Sequence, residues 1–239
     1  MKGLETRGLT RQFGGLTAVN SVDFVLTPGE IVGIIGPNGA GKTTFIHLIS
    51  GVYLPTEGTV HLNGKDITFL PAHERSRLGL SRTFQIIHPL ENLNLTENVM
   101  VGYLFACGLS RKQAREKAQT LCRELGLDNL ERPVDELTVL EIKKMEIAQA
   151  LATDPSILFL DEIMAGLTSQ ESFALIDFIR KIAADRNLGI GVVEHVMGVI
   201  KELTHSVMVL DAGEVIARGP YEEVARERKV IDAYLGGGA

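Results

Sequence analysis

A glycine-rich segment directly after an apolar run most constrains how this chain folds. Residues 36–43 read GPNGAGKT, which sets two glycines, a lysine and a hydroxyl at the spacing G-x-x-x-x-G-K-S/T. Residues 30–35 (EIVGII) are mostly apolar and β-branched, as in a buried strand that enters such a loop. Residues 43–49 follow as the start of a helix. The sequence therefore predicts a strand, a phosphate-binding loop and a helix, and hence a site for a nucleoside triphosphate.

Each residue type in the loop suits one part of that chemistry. Backbone N–H groups of the loop and the positive end of the helix dipole surround phosphate oxygens. Lys42 is expected to reach the β- and γ-phosphates, and Thr43 is expected to ligate Mg²⁺. The predicted nucleotide contacts in this segment are Gly36, Pro37, Asn38, Gly39, Ala40, Gly41, Lys42, Thr43 and Thr44.

Composition is that of an ordinary globular protein. The 239 residues are 45% hydrophobic and 23% charged, which suits one large domain or one domain with an insertion. We expect no membrane span, since no stretch reaches the roughly 18 to 20 apolar residues required, and no signal peptide, since the first residues lack an apolar core. The net charge of −6 argues against nucleic acid as a partner. Cys107 and Cys122 lack metal-ligand spacing and are predicted to be free thiols in a reducing cytoplasm.

The order of predicted elements divides a single domain, residues 1–239, into three parts. Residues 1–88 alternate β-like runs with turns and include a hairpin signal at Asn63-Gly64. Residues 89–154 have helical periodicity and are predicted to form a helical subdomain. Residues 155–239 alternate short apolar strands with helices and join residues 1–88 in the nucleotide-binding core. The predicted fold class is α/β: a P-loop NTPase core with a mixed sheet and flanking helices, an antiparallel β subdomain and a helical insertion.

Two carboxylates follow another apolar run. Residues 157–160 (ILFL) predict a buried strand, and Asp161 and Glu162 come directly after it. One carboxylate at such a strand end holds Mg²⁺ through water while the other polarises an attacking water, so we assign Asp161 to the metal and Glu162 to the general base. The alternative is that these acids only begin the next helix, where its dipole favours them, but a complete phosphate loop in the same chain favours the catalytic assignment.

Two further polar residues end short strand-like segments. His195 follows residues 192–194 (VVE), where a neutral imidazole would hydrogen-bond the γ-phosphate or orient the water. Gln85 ends residues 81–85 (SRTFQ). A lone histidine is more often structural, and a glutamine at a strand end is more often a surface residue. From the residues alone, both roles stay open.

The order of these features resembles the ATP-binding subunit of ABC transporters over nearly the whole chain. The shared features are an aromatic residue at position 13, GPNGAGKTT, a later glutamine, a helical insertion, ILFLDE and VEH. Within that superfamily, GLSRTFQ, LENLNLTENVMVG and VIARGPYEEVARERKVIDAYLG are similar to the ATPase subunits of branched-chain amino acid importers. The resemblance implies an enzyme that hydrolyses ATP to drive solute movement.

The resemblance also implies roles for individual residues. Phe13 would stack on adenine, with core packing as its competing role. Gln85 would sense Mg²⁺ and the attacking water, in a loop that receives a coupling helix from a membrane subunit. The implied catalytic residues are Glu162, His195 and Gln85, and the implied metal ligands are Thr43, Gln85 and Asp161. The implied partners are transmembrane permease subunits, a second ATPase subunit and indirectly a solute-binding protein, with the chain peripheral at the cytoplasmic face of the inner cell membrane.

The segment expected to bind the second subunit's ATP departs from the family pattern. The signature is normally Leu-Ser-Gly-Gly-Gln, whereas this chain has Leu137, Thr138, Val139, Leu140 and Glu141. Thr138 keeps a hydroxyl, but Val139 and Leu140 add side chains where glycine allows close approach. Glu141 adds a negative charge where a neutral amide is usual.

The loop after Glu162 departs as well. Ile163 replaces the usual proline. Thr168 lies near the position in the subunit-contact loop where the family pattern has an aspartate. Because the phosphate loop and Glu162 are intact while the signature is altered, we favour a heterodimer with a related ATPase subunit over a homodimer that tolerates the change.

Functions other than amino acid import share parts of this sequence pattern. ATPase subunits of some lipid exporters share this layout, so the direction of transport stays open. Soluble ABC-type ATPases of repair or translation typically carry two nucleotide domains or a coiled-coil insertion, whereas this chain has one phosphate loop. A P-loop kinase or GTPase is disfavoured because no guanine-reading Asn-Lys-x-Asp run is present.

Overall fold

The computed structural model describes residues 2–83 and 90–236. Gln85 lies outside the described residues. The first range contains β1 (Leu4–Phe13), β2 (Leu16–Leu26), β3 (Ile31–Ile35), α1 (Lys42–Ser50), β4 (Glu57–Leu62), β5 (Lys65–Asp66), α2 (Ala72–Arg77) and β6 (Leu80–Arg82). The second range contains α3 (Leu95–Phe105), α4 (Arg111–Glu124), α5 (Val139–Leu151), β7 (Ile157–Asp161), α6 (Ser169–Arg186), β8 (Gly189–Val193), α7 (Met197–Leu203), β9 (Ser206–Asp211), β10 (Glu214–Gly219), α8 (Tyr221–Val224) and α9 (Arg228–Gly236).

The larger sheet has the strand order β10-β9-β3-β8-β7-β6. Its strands β9, β3, β8, β7 and β6 run parallel, and β10 pairs antiparallel with β9. Every residue of β3, β7 and β8 is buried, because helices and the second sheet cover both faces. This burial explains why these strands are uninterrupted apolar runs in the sequence. The predicted mixed sheet is confirmed.

The smaller sheet is antiparallel, with the order β2-β1-β4-β5. The turn between β4 and β5 places Asn63 and Gly64 at φ 52° and 81°, which is the left-handed geometry that a tight hairpin needs. The hairpin predicted from Asn63-Gly64 is confirmed, and so is the antiparallel β part of the fold class.

The helices between β6 and β7 begin at recognisable caps. Ser110 accepts a hydrogen bond from the Gln113 N–H at the start of α4, and Asn94 accepts one from the Glu97 N–H at the start of α3. Both cysteines are free thiols, as predicted. The division into a core and a helical subdomain of residues 89–154 stays a prediction. Within the described residues, none of the helices combines the length and the apolar character needed to cross a membrane.

The parallel strands bring distant residues to one edge of the sheet. Strand β8 lies between β3 and β7, with Val193 paired to both Ile34 and Asp161. Because the three strands point the same way, the phosphate loop after β3, His195 after β8 and Glu162 after β7 all lie at their carboxyl ends. This edge is therefore the candidate site.

Candidate active site

The phosphate loop depends on glycines whose backbone no other residue adopts easily. Gly36 has φ 151°, and a Cβ there would lie 2.0 Å from the Leu210 carbonyl oxygen. Gly41 has φ 99°, and its Cβ would lie 2.3 Å from the Ala18 oxygen. Gly41 is also the N-cap of α1, and no side chain among the described residues caps that end. The first N–H groups of α1 are therefore available to an anion.

Lys42 is held against the loop that it follows. Its Nζ donates hydrogen bonds to the Gly36 and Pro37 carbonyl oxygens at 2.8 and 2.9 Å. Burial lowers the pKa of Lys42, and the carboxylates of Glu162 and Asp161 oppose that shift. The ammonium is thus positioned at the loop, between its backbone and the two carboxylates.

A cavity of about 590 Å³ opens above the loop. The structure brings most of the sequence-predicted residues together around it. The predicted residues in its lining are Phe13, Asn38, Gly39, Ala40, Gly41, Lys42, Thr43, Thr44, Glu162 and His195. Gly36 and Pro37 lie beneath Lys42 as its acceptors. These residues come from four separate places in the sequence, so their convergence is a property of the fold.

Phe13 ends β1 at the rim of this cavity. The residue is 39% exposed, which does not match the core-packing alternative. The ring meets Tyr53 edge-on at 5.5 Å, and the Arg11 guanidinium lies 4.6 Å from the Phe13 ring centre. These neighbours fix the ring in place while it lines the cavity.

Asp161 and Glu162 have different surroundings although they are adjacent. Asp161 is only 5% exposed, and its burial together with the Glu162 charge raises its pKa. The charges of Arg82, His195 and Lys42 act in the opposite direction but do not cancel this rise. Glu162 lines the cavity, and its backbone has φ 49°, a left-handed conformation uncommon outside glycine. The Glu162 N–H donates to the Val193 oxygen at 2.9 Å, and Glu162 Oε1 lies 2.9 Å from His195 Nε2. This arrangement presents a hydrogen-bonded carboxylate and imidazole to the cavity.

Two residues near this edge were missed by sequence reasoning. Glu194 is buried, and its Oε1 accepts a hydrogen bond from the Met164 N–H at 2.9 Å, which anchors the segment after Glu162. Tyr234 lies on α9, and burial raises its pKa. A hydrogen bond with the backbone of Gly36 partly offsets this rise. A charged residue directly after an apolar strand was the available signal for Glu194. No local pattern indicated Tyr234.

The altered signature segment lies apart from this cavity within the chain, since none of its residues is in the lining. Thr138 is the N-cap of α5, and its N–H and Oγ1 donate to Glu141 Oε2 at 2.8 and 2.9 Å. Arg132 pairs with Glu141 Oε1. Burial acts to raise the pKa of Glu141. The hydrogen bonds from Thr138 and Arg132 outweigh burial, so the pKa of Glu141 is lowered overall. Leu137 is buried, Leu140 is partly buried, and Val139 is 46% exposed.

Comparison with known proteins identifies the class of ATPase. Residues 19–165 match the family model of the ABC transporter. The chain belongs to this ABC transporter family. This ABC protein is therefore an ATP-binding protein that hydrolyses ATP. Its residues 214–239 match a second model, described as the branched-chain amino acid ATP-binding cassette transporter.

Individual relatives of this ABC ATPase cover nearly its whole length. The probable branched-chain amino acid transport ATP-binding protein LivG of Archaeoglobus fulgidus is 36% identical over 250 residues, covering 99% of this chain and 96% of the relative. The lipopolysaccharide export system ATP-binding protein LptB of Haemophilus influenzae is 32% identical over 240 residues, covering 99% and 98%. Among solved structures, the ADP conformation of MJ1267, an ATP-binding cassette of an ABC transporter, has a TM-score of 0.89 at 29% identity and covers 99% of both chains.

Proposed function

We propose that this ABC ATPase is the energy-coupling subunit of an importer for branched-chain or related amino acids. The observation that carries this proposal is the match of residues 214–239 to the branched-chain amino acid model, because that segment lies outside the residues matched by the general family model. The LivG relative supports the same assignment. The LptB relative favours a second candidate, the ATPase subunit of a lipid exporter.

Within this proposal, Mg²⁺ would be held jointly by the chain and the nucleotide. The described residues contain no cluster of three or more His, Cys, Asp or Glu side chains that could hold a metal unaided. The hydroxyl of Thr43 and the carboxylate of Asp161 are hard oxygen donors beside the loop, which suits an ion bound through one carboxylate and substrate phosphates. We assign these two residues as ligands, together with Gln85. When bound, Mg²⁺ offsets the charge that develops on the phosphate oxygens.

The hydrolytic step follows from the residues around the cavity. Loop N–H groups and Lys42 bind the phosphates, and Phe13 contacts the adenine. Glu162 accepts a proton from water as the water oxygen attacks the γ-phosphorus, and the bond from that phosphorus to the bridging oxygen breaks to leave ADP. His195, within hydrogen-bond distance of Glu162 Oε1, orients that carboxylate and contacts the γ-phosphate. Glu162 lines the cavity, and its backbone is in the left-handed conformation.

The proposed assembly contains a second ATPase subunit, transmembrane permease subunits and, indirectly, a solute-binding protein. In it the chain is peripheral at the cytoplasmic face of the inner membrane. We favour a heterodimer, because the exposed Val139 side chain stands where the signature normally has glycine. The Arg132 pair compensates the Glu141 charge but does not remove that bulk. The segment at residues 89–154, which includes the signature, is proposed to move as a helical subdomain during closure.

ATP hydrolysis by the assembled transporter tests the proposal. Glu162→Gln should lower turnover about a hundredfold or more, because it removes the general base. Thr138→Ala is the comparison variant and should cost little turnover, since the partner supplies the standard signature to this chain's ATP. Equal losses in the two variants would contradict the heterodimer assignment. Stimulation of hydrolysis by leucine, isoleucine or valine with the binding protein would support import, whereas stimulation only by a lipid would replace it with the exporter candidate.

A further inference from the structure

A second cleft, of about 350 Å³, lies away from the nucleotide cavity and shares none of its lining residues among those described. It lies between the end of α1, the helix α2, the strand β6 and the helix α5. Its lining includes Val52, Ala72, Leu80, Glu146 and Ala150. The hydrolytic step described above uses none of them.

Glu146 is the unusual member of this cleft. It lies on α5 and is only 7% exposed, yet its Oε2 has no hydrogen-bond partner among residues 2–83 and 90–236. Burial raises the pKa of Glu146 to about 7, and Lys143 on the same helix opposes the shift. A buried carboxylate without a partner is costly, so its retention in a cleft open to an incoming group indicates a missing partner.

The walls of the cleft limit what that partner is. Val52, Leu80 and Ala150 give apolar surface beside the carboxylate, and Val52 is also exposed at the rim. Ser81 and Thr153 are occupied by a hydrogen bond to each other. Lysine and arginine combine an apolar stem with a cationic head, so either side chain matches this combination of walls and carboxylate.

Other occupants match less well. A phosphate or carboxylate ligand would be repelled by Glu146 once it ionises. A bound metal ion would need more carboxylates or imidazoles, and no such cluster exists among the described residues. Arg82 also lines the cleft, but its charge acts on Asp161 and is absent from the charges that shift Glu146.

We infer that Glu146 is a recognition carboxylate, and that it pairs with one lysine or arginine presented by an otherwise apolar segment of a permease subunit. The inference depends on the proposed function, because it assumes that the partner is the membrane subunit of a transporter. The apolar face of that segment packs on Val52 and Leu80, and its cationic head reaches Glu146. This pair would favour a permease subunit that carries the matching cation over one that lacks it.

The test measures binding of the purified chain to the permease subunits of its own transporter in nanodiscs. Glu146→Gln should weaken binding about tenfold or more, because it leaves a desolvated cation unpaired, and Glu146→Lys should weaken it further. Glu74→Gln is the matched control, since it removes the same charge from the exposed face of α2 and should change binding less than about threefold. ATP affinity of the isolated chain should be the same in all variants.

Two further measurements separate recognition from a structural role. In the isolated chain, Glu146→Gln should leave the unfolding midpoint unchanged or raise it, because Oε2 has no hydrogen-bond partner to lose among the described residues. With Glu146→Lys, a Lys→Glu or Arg→Glu change at one permease position should restore binding and identify the partner residue.

Wild-type binding that Glu146→Gln leaves unchanged would overturn the inference alone. A lower unfolding midpoint for isolated Glu146→Gln would also overturn it, since that result assigns the side chain to folding. A wild-type chain that does not bind the permease subunits would overturn the proposed function and this inference together.

Discussion

Replacing Arg75 by methionine removes a charge that the structure buries completely. Arg75 on α2 has no exposed surface, and its guanidinium donates to four backbone carbonyls. The acceptors are Leu70 at 2.8 Å, Leu48 at 2.7 Å, Ile49 at 2.6 Å and Thr68 at 2.7 Å. Leu48 and Ile49 lie in the last turn of α1, where carbonyls lack the next turn of helix as a partner.

The size of the effect follows from these contacts. Hydrogen bonds from a charged donor are worth about 1.5–3 kcal/mol each, so four give roughly 6–12 kcal/mol before any cost. Burial lowers the pKa of Arg75 from its ordinary value to about 10, which corresponds to roughly 3 kcal/mol against the charged form. In the methionine variant, water that reaches the freed carbonyls replaces some of the lost hydrogen bonds and so reduces the loss of stability. We therefore expect Arg75→Met to lower the free energy of unfolding by about 3–5 kcal/mol.

Urea unfolding followed by circular dichroism measures this loss. Arg77→Met is the control, because Arg77 lies on the same helix with its side chain exposed and should change stability by less than about 0.5 kcal/mol. If Arg75→Met stayed within about 1 kcal/mol of the wild type, the four hydrogen bonds would not contribute as the structure indicates.

Three other substitutions test separate features. Lys42→Ala should weaken ATP binding roughly 10- to 100-fold by calorimetry, because a charged donor to the phosphates is lost, and unchanged affinity would exclude that contact. Glu146 has a folded pKa of about 7 against an ordinary 4.5, so the folded chain holds the proton more tightly. The free energy of unfolding of the wild type should therefore fall relative to that of Glu146→Gln as pH rises from 4.5 to 7, by up to about 3 kcal/mol. Urea unfolding at about pH 5 and pH 8 measures this, and the same difference in stability between the two proteins at both pH values would contradict it. Gly191→Ala should lower the free energy of unfolding by about 1–3 kcal/mol, since its Cβ would lie 2.3 Å from the Phe159 ring, and a neutral result in the same assay would show that the ring moves aside.

The sequence was most informative where a local pattern carries its own physical cause. Strands β3, β7 and β8 are buried at every position, so they appear as continuous apolar runs. The glycines of the phosphate loop are required by backbone geometry at their own positions. Since parallel strands share a carboxyl edge, these signals were enough to place Glu162 and His195 beside the loop.

Other features depend on contacts that no local pattern records. Strand β2 begins at Leu16, earlier than its apolar alternation suggests, because irregular register against β1 interrupts the alternation. No pattern in the sequence indicated strand β10 or helices α2 and α7, because β10 is only partly buried and the two helices are only 6 and 7 residues long. The acceptors of Arg75 depend on tertiary structure, and so does the lack of a hydrogen-bond partner for Glu146 Oε2 within the described part of the chain. The sequence alone showed only an arginine and a glutamate in helical segments.

The buried Arg75 links the two cavities mechanically. Helix α1 starts at the phosphate loop and ends on Arg75, while Ala72 and Ser76, on the same helix as Arg75, line the cleft that contains Glu146. A displacement of α2 at the cleft would therefore strain the hydrogen bonds from Arg75 to the end of α1. If binding of a permease subunit at the cleft changes nucleotide affinity by some factor, thermodynamic reciprocity requires that nucleotide changes permease affinity by the same factor.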